Sequence, residues 1–123
     1  MSERKTLLLV DDAPENLDVL KGLLSNDYNL KAVPNGKIAL KIAGMNPHPD
    51  LILLDILMPI MDGFEVLQEL QNNEDTKQIP VILLSALDSE ENIKKGMDMG
   101  AVGYIPKPFE PDVILNKVEE ILT

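Results

Sequence analysis

The sequence contains no cysteine and only one histidine. Without cysteine the chain forms no disulfides and offers neither thiolate metal ligands nor a cysteine nucleophile, which is compatible with a reducing cytosol. Basic residues are also scarce, since 11 Lys and Arg stand against 21 Asp and Glu for a net charge of −10. That acidity disfavours direct binding to nucleic acid. Asp11 and Asp12 end the first apolar run, Leu7 to Val10, far short of the apolar region of a signal peptide, and no segment is long enough to cross a bilayer.

The residues that are present suit one compact domain. The chain has 123 residues, of which 45% are hydrophobic and 26% are charged, so it can bury a continuous core. We therefore expect a single domain over residues 1–123. The last helical pattern runs up to Thr123, which leaves room for a C-terminal effector domain in a longer protein.

Five short, mostly aliphatic runs have the pattern of strands that are buried on both faces. Amphipathic stretches with helical spacing alternate with them. This strict alternation predicts parallel strands joined by right-handed crossovers, and hence a doubly wound α/β fold with five strands and five helices. The predicted strands are Thr6–Val10, Asn29–Val33, Leu51–Leu54, Val81–Ser85 and Val102–Ile105.

Two signals locate the helices, namely start residues and apolar spacing. The start signals are Pro14, Asn35, Asp62 with Glu65, Asp88 or Ser89, and Pro111. The apolar residues at helical spacing are Leu17, Leu20 and Leu24; Ile38, Ile42 and Met45; Phe64, Leu67 and Leu70; Ile93 and Met97; and Ile114, Val118 and Ile121.

Polar side chains stand where four of the predicted strands end. Asp11 and Asp12 follow the first strand, and Asp55 follows the third. Ser85 closes the fourth strand, and Lys107 comes shortly after the fifth. Because open parallel sheets bind ligands outside the carboxyl ends of their strands, we expect these residues to meet at one edge.

Three carboxylates at one edge favour a bound cation. Two unit charges about 4 Å apart interact by roughly 4 kcal/mol at an effective dielectric of about 20, so the group is unfavourable when unpaired. Oxygen ligands without histidine or cysteine select Mg²⁺, Mn²⁺ or Ca²⁺, and Mg²⁺ fits few carboxylates with several waters best. Together with Lys107 and the Ser85 hydroxyl, the group predicts a phosphoryl site in which Asp55 becomes an acyl phosphate.

Four segments in this order and spacing resemble the motifs of response-regulator receiver domains. They are LLLVDDAPEN, LILLDILMPIMDG, VILLSA and GYIPKPF, and the resemblance covers essentially the whole chain. It implies a flavodoxin-like sheet with strand order 2-1-3-4-5. It also implies a cytoplasmic module of two-component signalling that takes a phosphoryl group from a histidine kinase or a histidine phosphotransfer domain.

The resemblance assigns roles around the phosphoacceptor Asp55. Asp12 matches a direct metal ligand and Asp11 an acid that acts mainly through metal-bound water. The backbone carbonyl of Leu57 is a further ligand, for Mg²⁺ with Mn²⁺ able to substitute. The side chains two positions beyond Asp55 and Ser85, Leu57 and Leu87, would limit access of water and predict a long-lived phosphoryl state.

Further roles follow from the same resemblance. The Ser85 hydroxyl, the Ala86 amide and Lys107 would bind the phosphoryl group. Ser85 and Tyr104 would move on phosphorylation and remodel the face of the fourth helix, fifth strand and fifth helix, which would bind the output partner. Receivers have a cis peptide before the proline of their lysine-proline pair. The residues expected to shape the backbone are Pro59, Gly63 and Pro108.

The sequence also leaves three functions other than phosphate acceptance to consider. A phosphatase of the haloacid-dehalogenase type also uses an aspartate nucleophile, but in an Asp-x-Asp pattern after the first strand, where Asp11 and Asp12 are adjacent. A receiver fold that binds partners without accepting phosphate remains the main alternative. A nucleotide-binding protein would need a Gly-rich loop after the first strand. His48, between two prolines, is interpreted as a loop residue and not as a phosphohistidine.

Overall fold

A computed structural model describes residues 4–86 and 89–123. Its five strands are β1 (Thr6–Val10), β2 (Asn29–Val33), β3 (Leu51–Asp55), β4 (Val81–Ser85) and β5 (Gly103–Pro106). They pair in parallel, in the order β2-β1-β3-β4-β5. The predicted doubly wound sheet and its strand order are confirmed. Three boundaries shift by one residue, since β3 continues to Asp55 and β5 both starts and ends one residue later than predicted, at Gly103 and Pro106.

A helix follows each strand. The helices are α1 (Pro14–Leu24), α2 (Gly36–Ala43), α3 (Gly63–Asn72), α4 (Glu90–Asp98) and α5 (Pro111–Leu122). In the part of the chain that the structure describes, none of them is long and apolar enough to span a membrane.

Side-chain caps begin α2 and α3 as predicted. The Asn35 carboxamide oxygen accepts a hydrogen bond from the Ile38 amide at 2.9 Å. At α3, Asp62 accepts from the Glu65 amide at 2.9 Å, and Glu65 accepts in return from the Asp62 amide at 3.2 Å. This reciprocal pair is a capping box, which satisfies two backbone donors that the helix leaves unpaired.

The other three helices begin with a cap or a proline. The Ser89 hydroxyl accepts from the Asn92 amide at 3.2 Å, so Ser89 is the cap of α4. Asp88, the other candidate, lies outside the described residues. Pro14 and Pro111 stand at the first turns of α1 and α5, where the missing N–H has no intrahelical partner to lose.

Helices cover both faces of the sheet. Because successive strand residues point to opposite faces, β1, β3 and β4 feed two separate apolar layers. One layer joins the sheet to α1 and α5 through Leu17, Leu20, Leu24, Ile114 and Val118. The other joins it to α2 and α3 through Ala39, Ala43, Phe64, Val66, Leu67 and Leu70.

The apolar spacing located α2 correctly but not the residues that it buries. Ile38 is 40% exposed, and Met45 lies beyond the end of the helix and is 51% exposed. The buried residues are small, namely Gly36, Ala39 and Ala43. A Cβ at Gly36 would lie only 2.6 Å from Val66 Cγ2, so α2 approaches α3 too closely for large side chains.

Helix α4 departs from the pattern for the same reason. Its buried residue is Gly96, against which the Leu83 side chain packs so closely that a Cβ would overlap it. Ile93 is half-buried and Met97 is 43% exposed. The spacing of Ile93 and Met97 therefore marks a face turned towards β5 and α5, where both residues line a groove.

Candidate functional site

The charged residues predicted to form a site lie together at the carboxyl edge of the sheet. β3 lies between β1 and β4, so its last residue, Asp55, stands at the centre of the edge. Asp55 is 1% exposed, and Asp11, directly after β1, is fully buried. Asp12 follows it and is exposed.

Lys107 reaches across this edge and binds two carboxylates. Its Nζ lies 2.9 Å from Asp55 Oδ1 and 3.0 Å from Asp11 Oδ2. The strand-end positions predicted that Lys107, Asp11 and Asp55 lie at one edge, but not that the one lysine contacts both carboxylates. The lysine side chain is 18% exposed, so water screens these pairs less than it screens a surface ion pair.

Burial and charge shift two pKa values in the site. Burial raises the pKa of Asp55 to about 6, with Asp11 and Asp12 adding to the rise, although the hydrogen bond from Lys107 opposes it. Burial lowers the pKa of Lys107, but its hydrogen bonds to Asp55 and Asp11 outweigh this and the net shift is upwards. Lys107 therefore stays a cation, while Asp55 is more basic than an ordinary carboxylate.

The carboxylates lie close enough together to bind a metal ion. Asp11, Asp12 and Asp55 each offer an oxygen, and these oxygens all lie within 4.8 Å of one another. Among the described residues this is the single group of three or more such side chains with that spacing. A donor set made only of carboxylate oxygens fits a hard divalent cation.

Two further donors hold Asp11 in place. The Ala13 amide donates to Asp11 Oδ1 at 2.9 Å, and the Asn16 side-chain amide donates to Asp11 Oδ2 at 3.2 Å. Through the hydrogen bond from the Ala13 amide, Asp11 thus also shapes the turn into α1. Asn16 was not among the predicted site residues, although its place at the third position of α1, five residues after Asp11, was a usable signal.

The proposed phosphoryl-binding residues lie around the same edge. Ser85 is fully buried at the end of β4, and its carbonyl accepts from the Lys107 amide at 3.0 Å. Ala86 and Leu57 are exposed, Leu57 at 52%. Leu87 lies outside the described residues.

The loop after Asp55 folds tightly against the end of β3. A Cβ at Gly63 would overlap the Asp55 carbonyl oxygen and would lie 2.7 Å from Ile56 Cα, so the position requires glycine. Pro59 is exposed in the same loop. Ile60 next to it has φ 71° and is 94% exposed, a left-handed conformation that is rare for a β-branched residue.

The remaining predicted residues lie beside the site or away from it. The Lys107–Pro108 peptide is cis, as the resemblance implied. Tyr104 is half-buried, packs on the apolar layer beneath α3, and lines the groove beside α4. His48 contacts the Ala43 carbonyl oxygen through Nδ1 at 2.9 Å, in the loop that enters β3 at the end opposite Asp55.

Comparison with known proteins decides the family. The profile of the response regulator receiver domain matches residues 7–119. The chain belongs to this family. The receiver fold is a regulatory module, and the nearly full-length match agrees with the strand-end motifs in the sequence.

Two curated relatives and two solved structures illustrate the similarity. A probable cyclic di-GMP phosphodiesterase from Vibrio cholerae is 40% identical over 92% of this chain and 25% of its own length. The response regulator PleD from Caulobacter vibrioides is 34% identical over 94% of this chain and 25% of its own length. The chain thus spans only about a quarter of either relative.

The structural matches cover both partners almost completely. The chemotaxis protein CheY4 from Vibrio cholerae superposes with a TM-score of 0.90 at 28% identity, over 98% of this chain and 100% of that one. The receiver domain of the sensor histidine kinase PA1611 from Pseudomonas aeruginosa gives 0.87 at 26% identity, over 98% of each chain. That structure has a magnesium ion coordinated in its active-site cleft.

Proposed function

We propose that this domain accepts a phosphoryl group on Asp55 from a phosphohistidine and thereby switches an output surface. The observation that carries the proposal is the buried pair in which Lys107 Nζ lies 2.9 Å from Asp55 Oδ1. A capping or turn aspartate would need neither such burial nor a lysine from another strand end. Membership of the receiver family supports the same role.

Asp55 is the nucleophile of the proposed transfer. One of its carboxylate oxygens bonds to phosphorus while the bond from phosphorus to the imidazole nitrogen breaks, and the electron pair of that bond stays with the histidine. Without a bound cation, burial raises the pKa of Asp55 to about 6, so the carboxylate is still mostly ionised at neutral pH and can attack phosphorus.

The neighbouring residues bind the phosphoryl group once it is transferred. The negative charge then moves from Asp55 outwards to the phosphoryl oxygens, and the Lys107 ammonium follows it. The Ser85 hydroxyl and the Ala86 amide donate to the other phosphoryl oxygens. Hydrolysis later restores Asp55, so the domain catalyses reactions of its own phosphoryl group and is not a turnover enzyme.

The cation that we propose for the acidic group is Mg²⁺, with Mn²⁺ able to substitute. Asp11, Asp12 and Asp55 would hold it, together with the backbone carbonyl of Leu57. The all-oxygen donor set supports this choice, as does the magnesium ion in the related kinase receiver domain. When bound, the ion supplies positive charge that offsets the charge of the phosphoryl group.

We propose a histidine kinase or a histidine phosphotransfer domain as the donor, in the cytoplasm. The output partner, or an effector domain, would bind the face built by α4, β5 and α5. A groove of about 460 Å³ on this face is lined by Ile93, Met97, Tyr104 and Val113, among others. Phosphorylation would shift a pre-existing equilibrium of Ser85 and Tyr104 and so remodel this groove.

Intact-mass measurement with phosphoramidate tests the phosphoacceptor. Wild type should gain the mass of one phosphoryl group with Mg²⁺ but not with a chelator, and Asp55→Asn should gain none. Asp18→Asn, an exposed aspartate on α1, is the matched control and should behave like wild type. An unmodified wild type would contradict the proposal and favour the phosphate-independent interaction module, and an adduct on Asp55→Asn would mean that another residue is the acceptor.

The same samples test the other expectations. If Leu57 and Leu87 limit access of water, the adduct should persist for minutes, and its loss within seconds would contradict that role. Steady release of phosphate from a generic phosphomonoester would instead support the phosphatase alternative.

A further inference from the structure

We propose that Asn16 is a positioning residue that holds Asp11 in the orientation from which it serves the cation site. The inference rests on the proposed function, because it gives Asn16 a role towards Mg²⁺. It adds a residue of α1 to a site whose other members follow the strand ends. Asn16 itself contacts neither the cation nor the phosphoryl group in this proposal.

The two carboxylate oxygens of Asp11 accept hydrogen bonds from different donors. Oδ2 accepts from Asn16 at 3.2 Å and from Lys107 at 3.0 Å, whereas Oδ1 accepts from the Ala13 amide at 2.9 Å. Each carboxylate oxygen has about two acceptor positions. The described residues therefore fill Oδ2 and leave capacity on Oδ1, so Oδ1 is the oxygen that Asp11 can offer to a cation, directly or through water.

Asn16 is fixed more firmly than the other side-chain donor to Asp11. It lies in the first turn of α1, which Leu17, Leu20 and Leu24 anchor in the core. Its short side chain has two torsion angles, while Lys107 reaches Asp11 through a flexible stem of four carbons. The orientation of Asp11 is thus set by the helix whose position the core determines.

The two donors also differ in what happens to them during phosphotransfer. Lys107 is shared between Asp11 and Asp55, at 3.0 Å and 2.9 Å. When charge moves from Asp55 to the phosphoryl oxygens, Lys107 is drawn with it and its hold on Asp11 weakens. Asn16 then remains as the side-chain donor to Oδ2. Its hydrogen bond keeps the Asp11 carboxylate in the orientation in which Oδ1 faces the cation site.

Calorimetric titration with Mg²⁺ on the unphosphorylated chain tests this role without measuring activity. Asn16→Leu keeps the branched shape of the side chain but removes the donor, and Asn16→Ala removes both. Each should weaken Mg²⁺ binding by about tenfold, the lower end of what is seen when a group that orients a metal ligand is lost. Asn116→Ala, an exposed asparagine on α5, is the matched control and should bind like wild type.

A second readout uses the wild-type protein alone. The side-chain amide cross-peaks of Asn16 in ¹⁵N-correlated NMR spectra should shift during the Mg²⁺ titration with the same dissociation constant as calorimetry gives. A folded Asn16→Leu or Asn16→Ala that binds Mg²⁺ as tightly as wild type would overturn the inference and leave the proposed function intact. Unmoved Asn16 cross-peaks during saturable Mg²⁺ binding would do the same. Failure of wild type to bind Mg²⁺ would overturn both.

Discussion

β3 contains two regions that are equally buried and chemically opposite. Leu51–Leu54 are four apolar residues, each 0–1% exposed, that pack on both faces of the sheet. Asp55, the next residue, is 1% exposed but carries a carboxylate beside two other acids. The first region removes apolar surface from water, which stabilises the fold. The second removes a charged group from water, which opposes folding.

This difference separates the part of the chain that stabilises the fold from the part that we propose carries function. Burial raises the pKa of Asp55, so its charged form is less favourable in the folded state than in water. The loop that follows contains Ile60, whose backbone has the left-handed conformation. Asp55 is the last residue of β3 and Ile60 lies five residues after it, so both unfavourable features stand next to the apolar layers that stabilise the fold.

The largest expected effect comes from breaking the apolar region. Leu53 is fully buried in the layer under α1 and α5, so Leu53→Ala should lower the free energy of unfolding by about 3 kcal/mol through lost burial and an unfilled cavity. Urea denaturation measures the change. Val19→Ala is the control, because Val19 is 49% exposed on α1 and its truncation should change stability by about 0.5 kcal/mol or less. Equal losses of stability at both positions would contradict the conclusion that the buried apolar residues of β3 stabilise the fold.

The next effect has the opposite sign and tests the charged region. In the absence of divalent cations, Asp55→Asn should raise the free energy of unfolding at pH 7.5 by about 2 kcal/mol, because it removes a buried charge whose pKa is raised in the folded state. A carboxyl group with a raised folded-state pKa binds its proton more tightly in the folded state than in the unfolded state. Wild type should therefore lose stability as pH rises from about 4 to about 6 through this group.

The pH dependence supplies the control for this prediction. Well below pH 4 the carboxyl is protonated in both states, so the advantage of Asp55→Asn should shrink as the pH falls. Asp18→Asn, an exposed aspartate, should show no such change with pH. A gain in Asp55→Asn that is independent of pH would mean that packing, and not charge, is responsible.

Much of the fold could be predicted because each pattern has one local cause. Aliphatic runs marked the buried strands β1, β3 and β4, although β2 is half-exposed, and caps such as Asp62 with Glu65 marked helix starts, since both depend on neighbours in the chain. The buried faces of α2 and α4 could not be predicted in the same way. Gly36 and Gly96 are buried because a neighbouring element approaches closely, and that distance is a property of the packed structure.

The candidate site shows the same limit. The rule that ligands bind at strand ends placed Asp11, Asp55 and Lys107 at one edge, where the structure has them. It did not predict that Lys107 contacts Asp11 as well as Asp55, because the reach of a lysine across the edge depends on the spacing of three strands. Asn16 was missed because it lies on a helix and not at a strand end.

The smallest expected effect concerns backbone strain at the tip of the loop. Ile60 has φ 71°, where its Cβ crowds the following carbonyl at a cost of about 1–2 kcal/mol for an L-residue, and asparagine tolerates this region better. Since Ile60 is 94% exposed, its replacement loses almost no packing. Ile60→Asn should therefore raise the free energy of unfolding by about 0.5–1 kcal/mol, as measured by urea denaturation.

Ile60→Val is the matched control, because it shortens the side chain but keeps the branch at Cβ and with it the strain. If Ile60→Val stabilised the protein as much as Ile60→Asn, exposure of apolar surface and not backbone conformation would be the source of the gain, and the loop would no longer count among the unfavourable features that surround Asp55.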